Sequence, residues 1–190
     1  LHRHSVPNRK GRGRRKCCGT QCDKVGEFMN NIELPKRKAN RLASYDYSQN
    51  GAYFITICVK DKEPILSKIK FNSIYPNEIK LSKLGIIVAN EILNIEKRFD
   101  NTKVLDYVIM PNHIHLIIQL DNCNFSLGQI IGSFKSITTL QSKKIGYSND
   151  KLFQRNYYDH IIRNEDDYLT KSNYIKNNPE KWLDDKYYKS

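Results

Sequence analysis

The chain has 190 residues, a formal net charge of +12, 39% hydrophobic residues and 11% aromatic residues. This composition is sufficient for one buried core, and no apolar run approaches the roughly 20 residues that a membrane-spanning helix requires. Five cysteines form an odd set without the spacing of a disulfide framework, so we expect a cytoplasmic protein in a reducing compartment.

The first 28 residues differ in composition from the rest. They carry eight Lys and Arg against two acidic residues, so they hold half of the net charge. A basic run and the closely spaced Cys17, Cys18 and Cys22 leave open a nucleic-acid arm or a zinc site. The cysteine spacing fits no standard zinc pattern. We therefore expect residues 1–28 to be a disordered, non-native leader and residues 29–190 to be a single domain.

From residue 52 onward, strand and helix patterns follow one another along the chain. The predicted strands are residues 52–59, 79–81, 104–110, 113–120 and 153–162. Three predicted helices follow the capping residues Ser82, Ser126 and Asn164, and the last of them ends at Pro179. The order β-β-α-β-β-α-β-α predicts an α+β fold with an antiparallel sheet and helices packed on one face.

Two histidines, His113 and His115, open the apolar strand that follows a Pro-Asn turn. Alternate side chains of a strand point to opposite faces, so both imidazoles lie on one face and Ile114 and Leu116 lie on the other. Neutral imidazoles are common ligands of divalent metals. A bare His-x-His spacing is weak evidence, and two histidines on a polar sheet face remain an alternative.

The predicted last helix carries Tyr174 and Asn178 four residues apart, hence on one face. If this face meets the histidine pair, the Asn178 oxygen can complete a metal site and Tyr174 can attack a phosphorus atom. Tyr157 and Tyr158 compete as nucleophiles, but they precede the capped helix on a predicted strand. His160, on the same strand, could be a structural or DNA-contacting residue, and we expect it to pack in the core.

Five sequence blocks occur in an order that resembles the REP-associated tyrosine transposases, a branch of the HUH-type single-strand DNA transposases. The resemblance runs from about residue 36 to 183. The blocks are Tyr-Asp-Tyr at 45–47, Gly-Ala-Tyr-Phe-Ile-Thr-Ile-Cys at 51–58, Tyr-Val-Ile-Met-Pro-Asn-His-Ile-His at 107–115, Phe-Gln-Arg-Asn-Tyr-Tyr-Asp-His-Ile-Ile-Arg-Asn-Glu at 153–165 and Tyr-Ile-Lys-Asn-Asn-Pro at 174–179.

This resemblance implies a ferredoxin-like, RRM-like sheet and a site in which His113 and His115 are the HUH pair, Tyr174 is the nucleophile and Asn178 is the third ligand. Many single-strand transposases have Gln in place of this Asn, which is one methylene shorter and still offers a carbonyl oxygen to Mg²⁺ or Mn²⁺. The resemblance leaves open whether the protein is a monomer or a homodimer.

Basic residues near these motifs predict contacts with single-stranded or hairpin DNA. The predicted DNA-binding residues are Lys135, Lys143, Lys144, Arg155 and Arg163. Together the motifs predict a metal-dependent transposase that cleaves and rejoins DNA through a 5′-phosphotyrosine. The alternatives are a rolling-circle replication initiator, a DNA-binding protein that has lost catalysis, and an unrelated metal hydrolase.

Overall fold

The computed structural model describes residues 50–72, 74 and 77–188, and the predicted leader lies outside them. Its elements, in chain order, are β1 Gly51–Cys58, β2 Ser67–Lys70, β3 Glu78–Leu81, α1 Lys83–Arg98, β4 Thr102–Ile109, β5 His113–Leu120, α2 Leu127–Lys144, β6 Tyr158–Ile162 and α3 Glu165–Asn177. A short 3-10 turn, Trp182–Asp184, follows α3. None of the described helices has the length and apolar character needed to cross a membrane.

Four strands form an antiparallel sheet in the order β4-β5-β1-β6. In its centre β1 pairs with β5, so that Gly51 lies opposite Leu120 and Cys58 lies opposite His113. With α1 and α2 as the connections, this order is that of a ferredoxin-like βαββαβ unit. Strands β2 and β3 form a separate two-stranded sheet. The sequence did not predict β2, because its four residues, Ser-Lys-Ile-Lys, are too few to establish a period.

Side chains at the three predicted caps form the expected hydrogen bonds. Ser82 accepts the Gly85 N–H at 3.1 Å, and Asn164 accepts the Asp167 N–H at 2.9 Å. Ser126 forms a reciprocal capping box with the third residue of α2. These bonds satisfy backbone donors that have no partner within their helices, so the helices begin where the sequence predicted.

The alternation along β1 and β5 divides the sheet into two different faces. Tyr53, Ile55 and Ile57 share one face with Ile114 and Leu116, and the buried residues of α1 and α2 pack against it. These two long helices form the predicted layer and confirm the α+β fold. The third helix, α3, lies on the opposite face of the sheet, where Ile175 packs beside Ile117.

The predicted strand over residues 153–162 is shorter than expected, because regular pairing begins only at Tyr158. Phe153 forms an isolated bridge with Val59. The Lys135 ammonium group then donates to the carbonyls of Gln154 and Arg155. The Gln154 N–H still donates to the Cys58 carbonyl at 2.9 Å, so this segment lies beside β1 without regular pairing.

Candidate active site

The two histidines of β5 lie on the face that α3 covers, and their side chains are buried, with 0% of His113 and 1% of His115 exposed. Their Nε2 atoms are 3.0 Å apart. Two ligands at right angles around a cation, each with a bond of about 2.1 Å, are also about 3.0 Å apart. The pair could therefore hold one divalent cation, although the same distance also suits a hydrogen bond between the rings.

The other ring nitrogens are held by neighbouring side chains. His113 Nδ1 lies 2.9 Å from Asn112 Oδ1, and the Asn112 amide nitrogen donates to the Tyr187 carbonyl at 2.7 Å. The amide oxygen is thus oriented to accept a hydrogen bond from the Nδ1–H of His113. His115 Nδ1 lies 2.8 Å from the Thr56 hydroxyl oxygen. In the tautomer with protons on both Nδ1 atoms, the Nε2 lone pairs are left for a cation.

Burial keeps both imidazoles uncharged. It lowers the pKa of His113 to about 3, with further lowering by the nearby positive charges of Lys186 and Lys62. Burial also lowers the pKa of His115 well below its ordinary value, and the neighbouring His113 lowers it further. Both side chains are therefore neutral at pH 7, which is the protonation state that binds metals.

Helix α3 brings Tyr174 and Asn178 to the same place. The Tyr174 ring lies edge-on to His115, with ring centroids 5.1 Å apart, and the Asn178 side chain lies close enough to affect the pKa of the tyrosine hydroxyl. Burial raises the pKa of Tyr174, as does the charge of Asp185, whereas the neighbouring Asn178 side chain lowers it. The phenol is accordingly protonated at neutral pH, and 39% of Tyr174 is exposed.

The Asn178 side chain has an unusual environment, because only 2% of it is exposed and its Oδ1 has no hydrogen-bond partner among the described residues. A buried oxygen without a partner costs about 1–3 kcal/mol. A bound cation would remove this cost, since Mg²⁺ and Mn²⁺ favour oxygen ligands. Two neutral imidazoles and an unpartnered amide oxygen are donor types that a divalent cation could use.

The sequence did not predict Asp185, which follows the 3-10 turn after α3. One oxygen of its carboxylate and one ring nitrogen from each of His113 and His115 lie within 4.8 Å of one another. Asp185 belongs to no periodic pattern, so no local signal could have identified it.

Three of the five predicted DNA-binding residues, Lys135, Lys143 and Arg155, line a cavity of about 830 Å³ between α2 and residues 150–157. Neither the histidines nor Tyr174 line this cavity. Lys144 is exposed beside Lys143 on α2, and Arg163 is exposed at the end of β6.

Other residues of the sequence motifs have distinct positions. His160 was expected in the core, but it is exposed and its Nε2 lies 2.8 Å from Asp167 Oδ2, so that expectation is wrong. The bond joins β6 to the first turn of α3. Of the competing nucleophiles, Tyr157 lines the cavity beside α2 and Tyr158 is exposed on β6. Tyr174, in contrast, packs against His115.

Two proteins of Haemophilus influenzae are similar to this chain in sequence. An uncharacterized protein of Haemophilus influenzae is 36% identical over 182 residues, covering 83% of this chain and 96% of that protein. A predicted REP-associated tyrosine transposase of the same bacterium is 25% identical over 145 residues, covering 72% of this chain and 74% of that protein.

Among solved structures, a REP-associated tyrosine transposase bound to a REP hairpin has a TM-score of 0.57 and 18% sequence identity, covering 75% of this chain and 74% of that chain. This similarity confirms the ferredoxin-like architecture. The sequence profile of the family described as "Transposase IS200 like" matches residues 48–178, which is more than half of the chain. The chain therefore belongs to the IS200-like transposase family.

Proposed function

We propose that this transposase cleaves and rejoins single-stranded, hairpin-associated DNA with Tyr174 as the nucleophile. The observation that carries the proposal is the position of Tyr174, whose ring lies 5.1 Å from the ring of His115 and edge-on to it. A phenol beside two neutral imidazoles and an unpartnered amide oxygen is suited to attack a phosphodiester.

In this proposal His113, His115 and Asn178 hold a divalent cation, Mg²⁺ or Mn²⁺. When bound, the cation would polarise the scissile phosphate and offset its negative charge. The protein supplies the arrangement of the donors. The Nε2 atoms are already 3.0 Å apart, and Asn112 and Thr56 fix the two rings through their Nδ1 atoms.

In the cleavage step, the phosphoryl group is transferred from the 3′ oxygen of one strand to the Tyr174 oxygen. The Tyr174 oxygen forms a bond to phosphorus, the bond from phosphorus to the 3′ oxygen breaks, and the released strand ends in a 3′-hydroxyl. The protein is left attached to a 5′-phosphate. Because 39% of Tyr174 is exposed, water can accept the phenolic proton. Attack of a 3′-hydroxyl on the phosphotyrosine reverses these steps and joins strands.

We further propose that DNA approaches across the basic residues of α2 and the segment after it. Lys143, Lys144, Arg155 and Arg163 are exposed and can contact phosphates. Lys135 has another role, since its ammonium group holds the carbonyls of Gln154 and Arg155. A relative of the same fold has been solved with a REP hairpin, which supports a hairpin as the DNA partner.

The test is formation of a covalent adduct with single-stranded DNA that carries a hairpin. Tyr174→Phe should abolish the adduct and leave DNA affinity nearly unchanged, because it removes only the attacking oxygen. Tyr158→Phe is the matched control and should retain adduct formation. EDTA should stop the reaction of the wild type, and Mn²⁺ or Mg²⁺ should restore it. An adduct that persists in Tyr174→Phe and disappears in Tyr158→Phe would refute the assignment.

A further inference from the structure

The chain after α3 turns back over the histidine pair. The Trp182 ring lies 6.0 Å from the His113 ring, and the Tyr187 ring lies 4.6 Å from it. The Tyr187 carbonyl accepts the Asn112 amide at 2.7 Å, and this amide also positions His113. Residues 182–187, hereafter the C-terminal segment, are thus attached to the site by ring packing and by a buried hydrogen bond.

Within the C-terminal segment, Asp185 is the residue whose carboxylate comes close to both imidazoles. A carboxylate oxygen and the two ring nitrogens lie within 4.8 Å of one another. The Tyr187 N–H donates to Asp185 Oδ1 at 2.7 Å, which fixes the carboxylate. A carboxylate has about four lone-pair positions, so this bond leaves capacity for a cation.

The negative charge of Asp185 would balance part of the positive charge of a bound cation. The predicted ligands His113, His115 and Asn178 are all neutral donors, so they would leave the full charge of a divalent cation in a buried site. The nearby positive charges of Lys62 and Lys186, which lower the pKa of His113, act against a cation as well. A carboxylate is the ligand that Mg²⁺ and Mn²⁺ prefer, and Asp185 would offset part of this positive charge.

We propose that Asp185 is a direct ligand of the divalent cation, so that cation binding fastens the C-terminal segment over the site. The inference rests on the cation site of the proposed function and adds a ligand from a separate part of the chain. It also makes the C-terminal segment part of the metal centre. The backbone of this segment should therefore be more rigid when the cation is bound.

The experiment is calorimetric titration of the full chain with Mn²⁺, without DNA. Asp185→Asn should weaken binding by at least about tenfold, because it removes a charged ligand. Asp184→Asn is the matched control, since it removes the same charge one residue earlier from an exposed side chain, and its affinity should stay close to that of the wild type. Equal weakening in both variants would mean a general charge effect and would overturn the inference.

The two proposals fail in different ways. If Asp185→Asn binds Mn²⁺ as tightly as the wild type, Asp185 is not a ligand, although the histidine site stands. If the wild type does not bind Mn²⁺, or binds it equally well after His113→Ala, the proposed cation site itself is wrong. Hydrogen exchange of the wild type provides a second test that does not depend on how the variants fold. Saturating Mg²⁺ should slow the exchange of backbone amides in the C-terminal segment, and unchanged exchange would overturn the inference.

Discussion

Substituting Thr56 with Val tests whether the second ring nitrogen of His115 orients the metal site. The Thr56 hydroxyl lies 2.8 Å from His115 Nδ1, and only 4% of this threonine is exposed. Valine has nearly the same shape but no hydroxyl. The buried Nδ1 of His115 would lose its hydrogen-bond partner, which costs about 1–3 kcal/mol of unfolding free energy.

The same change should weaken Mn²⁺ binding by about 10-fold to 100-fold, because groups that orient a ligating histidine contribute about this much to metal affinity. This range corresponds to about 1.4–2.8 kcal/mol. Urea unfolding measures the stability. Quenching of Trp182 fluorescence by Mn²⁺ measures the affinity, because Trp182 is the only tryptophan in the chain and lies 6.0 Å from His113.

The matched control is Thr102→Val at the far end of the sheet. Thr102 is equally buried, but its hydroxyl contacts only the weakly bonding Cys123 sulfur, at 3.4 Å. We expect a small change in stability and wild-type affinity for Mn²⁺. The reasoning is refuted if Thr56→Val binds Mn²⁺ as the wild type does, or if both variants lose the same affinity.

Three other predictions concern stability and the leader. Gly85→Ala should destabilise the protein by about 1–3 kcal/mol or more, because the new Cβ would lie 2.1 Å from the Leu66 carbonyl oxygen. At Gly132 a new Cβ would have no atom within 4 Å, so Gly132→Ala should stabilise the protein by about 0.5–1 kcal/mol. Urea unfolding of both variants measures these changes. In metal-free protein the unfolding free energy should fall as pH drops from about 6.5 to 3, by up to about 1.4 kcal/mol per pH unit for each of His113 and His115, because the unfolded state then binds protons that the two buried imidazoles do not. A flat pH profile of stability would contradict their lowered pKa values. A chain shortened to residues 29–190 should keep its hairpin selectivity and lose only salt-sensitive, non-specific affinity in DNA-binding assays, and loss of selectivity would make the leader a functional module.

Local signals in the sequence were sufficient for most of the secondary structure and for part of the site. Capping side chains at Ser82, Ser126 and Asn164 identified the helix starts, because each bonds to a backbone group three residues away. The two-residue period of a strand placed His113 and His115 on one face. The four-residue spacing of a helix likewise put a tyrosine and an asparagine together on α3.

Tertiary structure decided what these local patterns meet. It placed α3 on the histidine face, put three of the predicted DNA-binding cations around a cavity that the histidines do not line, and paired His160 with Asp167 instead of burying it. It also brought Asp185 to the two histidines.

These contacts join residues that are far apart in the chain, as in the bond between Asn112 and Tyr187, which are 75 residues apart. Helix and strand periods relate only near neighbours in sequence. The sequence therefore determined the caps, the strand faces and the histidine and tyrosine motifs. The packing of distant segments determined which charges and carboxylates surround them, because that packing depends on the burial of the whole core.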